Sequence, residues 1–270
     1  MVLSCPVCGE ALAPFGSALK CRNGHSFDVA RQHYVNLLMA SAPKEKRHGD
    51  DKAMVGARTA FLETGLYDRF RDAVCQTARE HLPAGARLVD AGCGEGYYSA
   101  ALRDALSADL CGVDISKAAA AAAAKRGGMT IAVAGVNRLP VHDESCDGVI
   151  NIFAPLAAEE FSRVLAPGGI LIRALPRERH LWGLKAAIYD SPYLNPPVEE
   201  TLSGFDLISR RDVDYEITLP CRRDIQNLFL MTPYYYKTSA ADQQKLSRLQ
   251  SLKTELSFAV LAYRKKTLAL

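Results

Sequence analysis

The chain has 270 residues, 49% apolar and 23% charged, with a net charge of only +3. That length holds one large domain, or one standard domain with a small appendage, and the composition supports a sizeable buried core. No apolar run reaches the ~18 residues of a membrane span and the start lacks a basic-then-apolar leader pattern, so a soluble, cytoplasmic protein is expected, with no membrane partner.

The charge distribution says more than its total. Residues 1–60 carry eight Lys/Arg against five Asp/Glu, while the remaining 210 carry 25 against 25. The densest basic run is "KEKRH" at 44–48. Either this is a solvated face, or an anionic partner touches this end first.

The first element is a cluster, Cys5-x2-Cys8-x12-Cys21-x3-His25. Its ligand types and short spacings are those of a tetrahedral zinc site. Gly9 and Gly24 supply sharp turns beside the ligands. Three thiolates and an imidazole fill all four positions, so the metal is expected to be structural rather than catalytic. The rival readings are a redox CxxC pair and unrelated buried cysteines. Against the first, Pro6 and Gly9 suggest a turn where redox motifs open a helix. A segment of about 30 residues is also too small to fold without a staple. The other five cysteines (Cys75, Cys93, Cys111, Cys146, Cys221) are scattered singly and are read as small core or structural residues.

After a basic stretch, "DDKAMVGARTAFLETGLY" has helical spacing, suited to packing on a catalytic domain or a second subunit. The pattern changes at residue 87. "RLVDAGCGEGYYSAALRDAL" reads as a strand (Leu88, Val89), then Asp90, a glycine loop and a helix. "ADLCGVD" gives a second strand ending on Asp114, followed by an alanine-rich helix that Ser116 would cap. "MTIAVAG", "CDGVINIFAP" and "PGGILIRALP" read as the third, fourth and fifth strands, and "FDLISRRDVDYEITL" with "LSFAVLAYRKK" as a closing antiparallel pair. Strands alternating with helices predict an α/β fold with a doubly wound, Rossmann-like parallel sheet. The predicted domains are a zinc-binding module at 1–35, a basic and helical linker at 36–82, and a catalytic domain at 83–270.

The loop Gly92-x-Gly94-x-Gly96 departs from the dinucleotide spacing GxGxxG, and Asp90 precedes it. A carboxylate there suits no pyrophosphate. S-Adenosylmethionine carries an ammonium and a sulfonium instead, which favour nearby acceptors, and Asp114 would accept from its ribose hydroxyls. "FSRVLAPGGILI" resembles the corresponding turn of class I methyltransferases. The methyl acceptor is not an exocyclic amine of adenine or cytosine, because "NIFAPLA" after the fourth strand lacks the Pro-Pro-aromatic motif and "NPP" at 195–197 lies too far on. Pro220-Cys221 lies past the fifth strand, so no cytosine-C5 nucleophile is expected.

Along essentially its whole length the chain resembles the 23S ribosomal RNA guanine-N1-methyltransferases of the RlmA type. The stretches that carry this are "CPVC…C…GHSFDVA…YVNLL", "ARTAFLETGLY", "DAGCGEGYY", "DISKAA", "FAP", "PRERHL" and "MTPY". The resemblance implies an N-terminal zinc module held by Cys5, Cys8, Cys21 and His25 that helps grip a 23S rRNA hairpin loop. It also implies cofactor contacts from Tyr67, Gly94, Glu95 and His180. Taken alone, Tyr67 is a helix-end core aromatic and His180 a surface histidine. A flipped guanine would stack on aromatic surface and present its N1 edge to the methyl group. Asn151, Phe153 and Pro155 would border that pocket. Asn151 and Phe153 are candidates for holding the base, or are packing residues. "MTPYYYKTS" (231–239) places Tyr234, Tyr235 and Tyr236 beside Lys237 as a stacking platform or an aromatic core edge. A homodimer is compatible with this reading. The rival functions are a small-molecule methyltransferase and a non-enzymatic RNA-binding protein that keeps the fold.

Overall fold

The computed structural model describes residues 1–39 and 49–267; the basic run at 44–48 lies outside the described residues. Near the start, Ala13–Phe15 (β1), Ala18–Lys20 (β2) and Ser26–Asp28 (β3) form a small antiparallel sheet in that order. None of the nine residues in these strands is fully buried, so the sheet has no core of its own to hold it.

Tyr34–Asn36 (β4) leaves that sheet. Lys52–Leu62 (α1) follows, with the Asp51 side chain accepting from the Met54 N–H at 2.9 Å as its cap, and then Asp68–His81 (α2). The alternation begins with Arg87–Ala91 (β5), Tyr97–Leu106 (α3), Asp109–Asp114 (β6), Lys117–Ala124 (α4) and Thr130–Val133 (β7). It continues through Cys146–Ile152 (β8), Ala158–Val164 (α5), Leu165–Pro176 (β9) and Trp182–Ile188 (α6). The chain closes with Phe205–Leu219 (β10), Arg222–Leu230 (α7), Ala240–Ser247 (α8) and Leu252–Lys265 (β11).

The strands assemble into one eight-stranded sheet, ordered β10-β11-β9-β8-β5-β6-β7-β4. Neighbours from β9 to β4 pair in parallel, and β11 runs antiparallel to both β9 and β10. This is the expected doubly wound α/β sheet with its closing antiparallel pair. The order reverses beside β5, whose neighbours are β6 and β8, so a crevice opens at the carboxyl ends of these strands. The Leu-Ala-Pro-Gly-Gly turn bulges where α5 enters β9: Cys146 pairs with Leu165 and the next pairing is Gly148 with Ile170.

Two apolar layers cover the sheet. One face carries Phe61, Phe70, Leu102, Leu184 and Leu228 from α1, α2, α3, α6 and α7. Here α1 packs on α4 and α7, and α2 on α3 and β11, so both helices lie on this face of the sheet. On the other face, Leu3, Cys5, Leu12 and Cys21 share a cluster with Val89, Cys111, Val113, Val141 and Phe161. No helix connects β7 to β8. Leu3 instead bridges to Val141, and the Ser4 N–H donates to the Pro140 carbonyl at 2.8 Å. The zinc module thus occupies the place that a crossover helix takes in a doubly wound fold, and Tyr34–Asn36 extends the sheet by pairing with Ile131–Val133. Of the single cysteines, Cys75, Cys93, Cys111 and Cys146 are buried, whereas Cys221 is half-exposed at the start of α7. Among the described residues no helix is long and apolar enough to cross a membrane.

Candidate active site

The four predicted metal ligands converge. One ligand atom each of Cys5, Cys8, Cys21 and His25 lie within 4.8 Å of one another. Sγ of Cys8 and Cys21 are 3.7 Å apart, and His25 Nδ1 is 3.6 Å from Cys5 Sγ and 3.3 Å from Cys21 Sγ. A tetrahedral zinc with ordinary bond lengths sets ligand edges of about 3.5–3.8 Å. The donor set therefore fits zinc through Nδ1 of the histidine, with every position taken by protein. The Glu10 backbone N–H is the main influence holding the Cys8 thiol down at about 6, which favours the thiolate that binds metal.

At the carboxyl end of β5 the chain turns through Gly92, Gly94 and Gly96 at φ of +91°, +55° and +81°. Gly92 is required twice over, by that φ and because a Cβ there would meet the Ala154 Cβ at 2.4 Å. The loop therefore lies against the turn that follows β8. Asp114, at the end of β6, faces it: its carboxylate accepts from the Gly94 N–H at 2.9 Å and the Ser116 N–H at 2.8 Å. Burial raises the Asp114 pKa and these two N–H groups oppose the rise.

The other two acids sit deeper. Asp90 is buried and accepts from Ser99 Oγ at 2.5 Å; burial pushes its pKa up to about 7. Glu95 is also buried, accepts from the Tyr97 N–H at 3.2 Å, and pairs with Arg126 at 3.2 Å. Both side chains brace the glycine loop against α3. Three carboxyls around the glycine loop suit a cationic adenosyl cofactor, S-adenosylmethionine, better than a pyrophosphate.

Tyr67 and His180 meet on the same aromatic wall although they lie far apart in sequence. Tyr67, 2% exposed, packs its ring edge-on against Phe61, Phe70 and Phe258. His180 lies 4.5 Å from the Phe258 ring, and its Nδ1 accepts from the Ser257 N–H at 3.3 Å. That bond places the imidazole proton on Nε2, and burial pushes the pKa down to about 3, so the ring is neutral at physiological pH. His180 is not the surface residue that its sequence context alone suggests; it is 7% exposed.

The rim is formed by the turn after β8. Phe153 holds a positive φ of 53°, is 45% exposed, and stacks on Phe70 at 5.4 Å, which in turn stacks on Phe258 at 4.0 Å. A bulky residue in the left-handed region is a strained feature of the kind that clusters at binding sites. Asn151 is fully buried; its Nδ2 donates to the carbonyls of Ala91 and Pro155, both at 3.2 Å, and its Oδ1 has no partner. Through Nδ2 it ties the glycine loop to the Phe153 turn. The three tyrosines do not form one platform. Tyr234 and Tyr235 pack inward, the first over the buried ammonium of Lys185 at 5.2 Å and the second edge-on to Phe229, and only Tyr236 faces out, at 57% exposure. Asn195 of the "NPP" loop accepts from Lys185 Nζ at 2.6 Å, a structural role.

Arg58 was not singled out from the sequence. It stands on α1, pairs with Asp50, donates from Nη2 to the Met231 carbonyl at 3.2 Å, and lies over the glycine loop. Its one sequence signal is a cation inside an otherwise apolar helical stretch, which periodicity alone does not separate from a surface residue.

Comparison with known proteins gives two family matches: residues 3–46 match a model described as RlmA, N-terminal, and residues 89–173 match a methyltransferase domain. A protein of Bacillus subtilis (strain 168) described as a 23S rRNA (guanine-N1-)-methyltransferase is 33% identical over 93% of this chain and 91% of its own. The 23S rRNA (guanine(748)-N1)-methyltransferase of Streptomyces fradiae is 39% identical over 69% of this chain and 67% of its own. Among solved structures, a chain of the Haloferax volcanii complex between the Trm112 methyltransferase activator and its methyltransferase covers 81% of this chain and all of its own, at 17% identity and a TM-score of 0.51, a likeness of fold alone.

Proposed function

The chain belongs to the 23S rRNA (guanine-N1-)-methyltransferases, and we propose that it methylates N1 of one guanine in a hairpin loop of 23S rRNA. The observation that carries this reading is the joining of two matched parts in one chain, a zinc ribbon of the RlmA type and an acidic, glycine-looped methyltransferase crevice. A relative aligned over 93% of the chain supports it.

S-Adenosylmethionine supplies an electrophilic methyl group when bound, and the protein's share is to orient, desolvate and exclude water. Asp114 would accept from the ribose hydroxyls beside the Gly94 N–H, and Gly92, Gly94 and Gly96 let the backbone approach. Tyr67 and His180 would close the far wall. A protonated imidazole would repel a sulfonium, so the burial that keeps His180 neutral serves this site, with Nε2–H left as a donor. Phe153 would stack on the flipped guanine, its strained backbone holding the ring at the rim. The zinc module would bring the RNA to the same molecule, with zinc as scaffold only.

The test is to incubate the zinc-loaded protein with labelled S-adenosylmethionine and unmodified 23S rRNA, digest, and identify the labelled nucleoside. 1-Methylguanosine is expected. Label in another nucleoside, or only in small molecules of a cell extract, would overturn the assignment.

A further inference from the structure

Besides its adenine, S-adenosylmethionine offers ribose hydroxyls, an α-ammonium and an α-carboxylate. The acids at the crevice suit the first two, and none suits the third. Arg126 has its Nε and Nη2 committed to the Glu95 carbonyl, the Glu95 carboxylate and Glu63. Arg58 is differently placed. A Cβ at Gly94 would lie 3.7 Å from its Nη1, so the guanidinium covers the loop at the point where Gly94 turns. Its partners are Asp50 on Nη1 and the Met231 carbonyl on Nη2, and its remaining N–H groups have no acceptor among the described residues. The Asp50 carbonyl accepts from Ser116 Oγ at 2.6 Å, which fastens the Arg58–Asp50 pair to the residue whose N–H binds Asp114. Arg58 is also one of the charges that offset the burial lifting Tyr67, Glu95 and Asp114, behind Arg126 at Glu95 and behind two backbone N–H groups at Asp114. The cation thus stands over Gly94 and is tied through Asp50 to Ser116.

The geometry points to Arg58 as the residue that binds the α-carboxylate of the cofactor's methionine moiety, oriented for that task by Asp50. This rests on the reading of the crevice as an S-adenosylmethionine site. The guanidinium is 24% exposed on its side chain, so a carboxylate there meets a partly desolvated, planar donor, the setting in which charge-assisted hydrogen bonds are strongest.

The experiment is a binding cycle by calorimetry on the full, zinc-loaded chain, with S-adenosylmethionine and its decarboxylated form as ligands. Wild type is expected to prefer the carboxylate-bearing ligand by about 10- to 100-fold, the scale of a hydrogen bond between charged groups. Arg58→Met should collapse that preference to near unity. Arg58→Lys, which keeps the charge and loses the fork, should fall between and guards against a folding defect in the first variant. Equal loss for both ligands, or an unchanged preference, would overturn the role of Arg58. Failure of wild type to bind either ligand would instead overturn the cofactor reading itself.

Discussion

Removing zinc should destabilise the methyltransferase sheet as well as the ribbon that holds the metal. Cys5 and Cys21 are buried in the apolar layer that contains Val89 of β5 and Cys111 and Val113 of β6, and the ribbon adds Leu3 and Leu12 to it at 3% and 5% exposure. The ribbon's own strands bury no residue fully, so its fold depends on the metal. Uncovering two leucines costs about 3–6 kcal/mol, a large share of the ~5–15 kcal/mol that holds a typical domain. The assay is amide hydrogen exchange on β6 and β7, with a thermal melt, before and after treatment with a strong chelator; a Cys21→Ser variant repeats it without chelator. Faster exchange in β6 and β7 together with a lowered Tm is expected. Exchange confined to residues 5–28, with β6, β7 and Tm unchanged, would refute the argument that the ribbon replaces a covering helix.

Gly92→Ala should lower affinity for S-adenosylmethionine at least ~10-fold, because the added Cβ meets Ala154 at 2.4 Å and φ is +91°; in the double variant with Ala154→Gly, calorimetry should show partial recovery. His180 contributes a pH dependence of known sign. Its ring takes a proton near 6.5 when unfolded but only near 3 when buried, so the unfolded chain binds more protons between these values. Stability from this group is complete above pH 6.5 and is lost as pH falls toward 3, at up to about 1.4 kcal/mol per pH unit. Urea melts of His180→Gln should therefore lose this slope, and parallel curves for variant and wild type would count against it. Phe153→Ala should raise the KM for RNA about 10-fold, the scale of one lost base stack, with Phe153→Trp close to wild type. Calorimetry on Phe153→Ala should find cofactor affinity unchanged, and a loss there would assign the ring to the cofactor instead.

Local chemistry makes much of this molecule legible in its sequence. Metal spacing located Cys5, Cys8, Cys21 and His25 because a tetrahedral ion permits few arrangements, and the glycines at 92, 94 and 96 are what a left-handed turn demands. Strand alternation yielded β5 to β9 in order because buried parallel strands read as apolar runs. What stayed hidden depends on long-range packing. Nothing in "YVN" announces an edge strand against β7, and nothing in Leu3 announces a seat on Val141. Tyr67 and His180 become one wall only through Phe258, on the last strand. The bracing bonds of Asn151 are hidden for the same reason, since its Nδ2 faces two carbonyls that only the fold brings together. The inward packing of Tyr234 and Tyr235 follows from the buried Lys185 and from Phe229, neither visible in a local run of tyrosines.

The most direct test of the account is to map the modified position. Methylation at guanine N1 blocks Watson–Crick pairing, so reverse transcription halts beside it. Unmodified 23S rRNA, incubated with the zinc-loaded protein and S-adenosylmethionine, should acquire one new stop at a guanine in a hairpin loop. No stop, or stops scattered over many guanines, would contradict it.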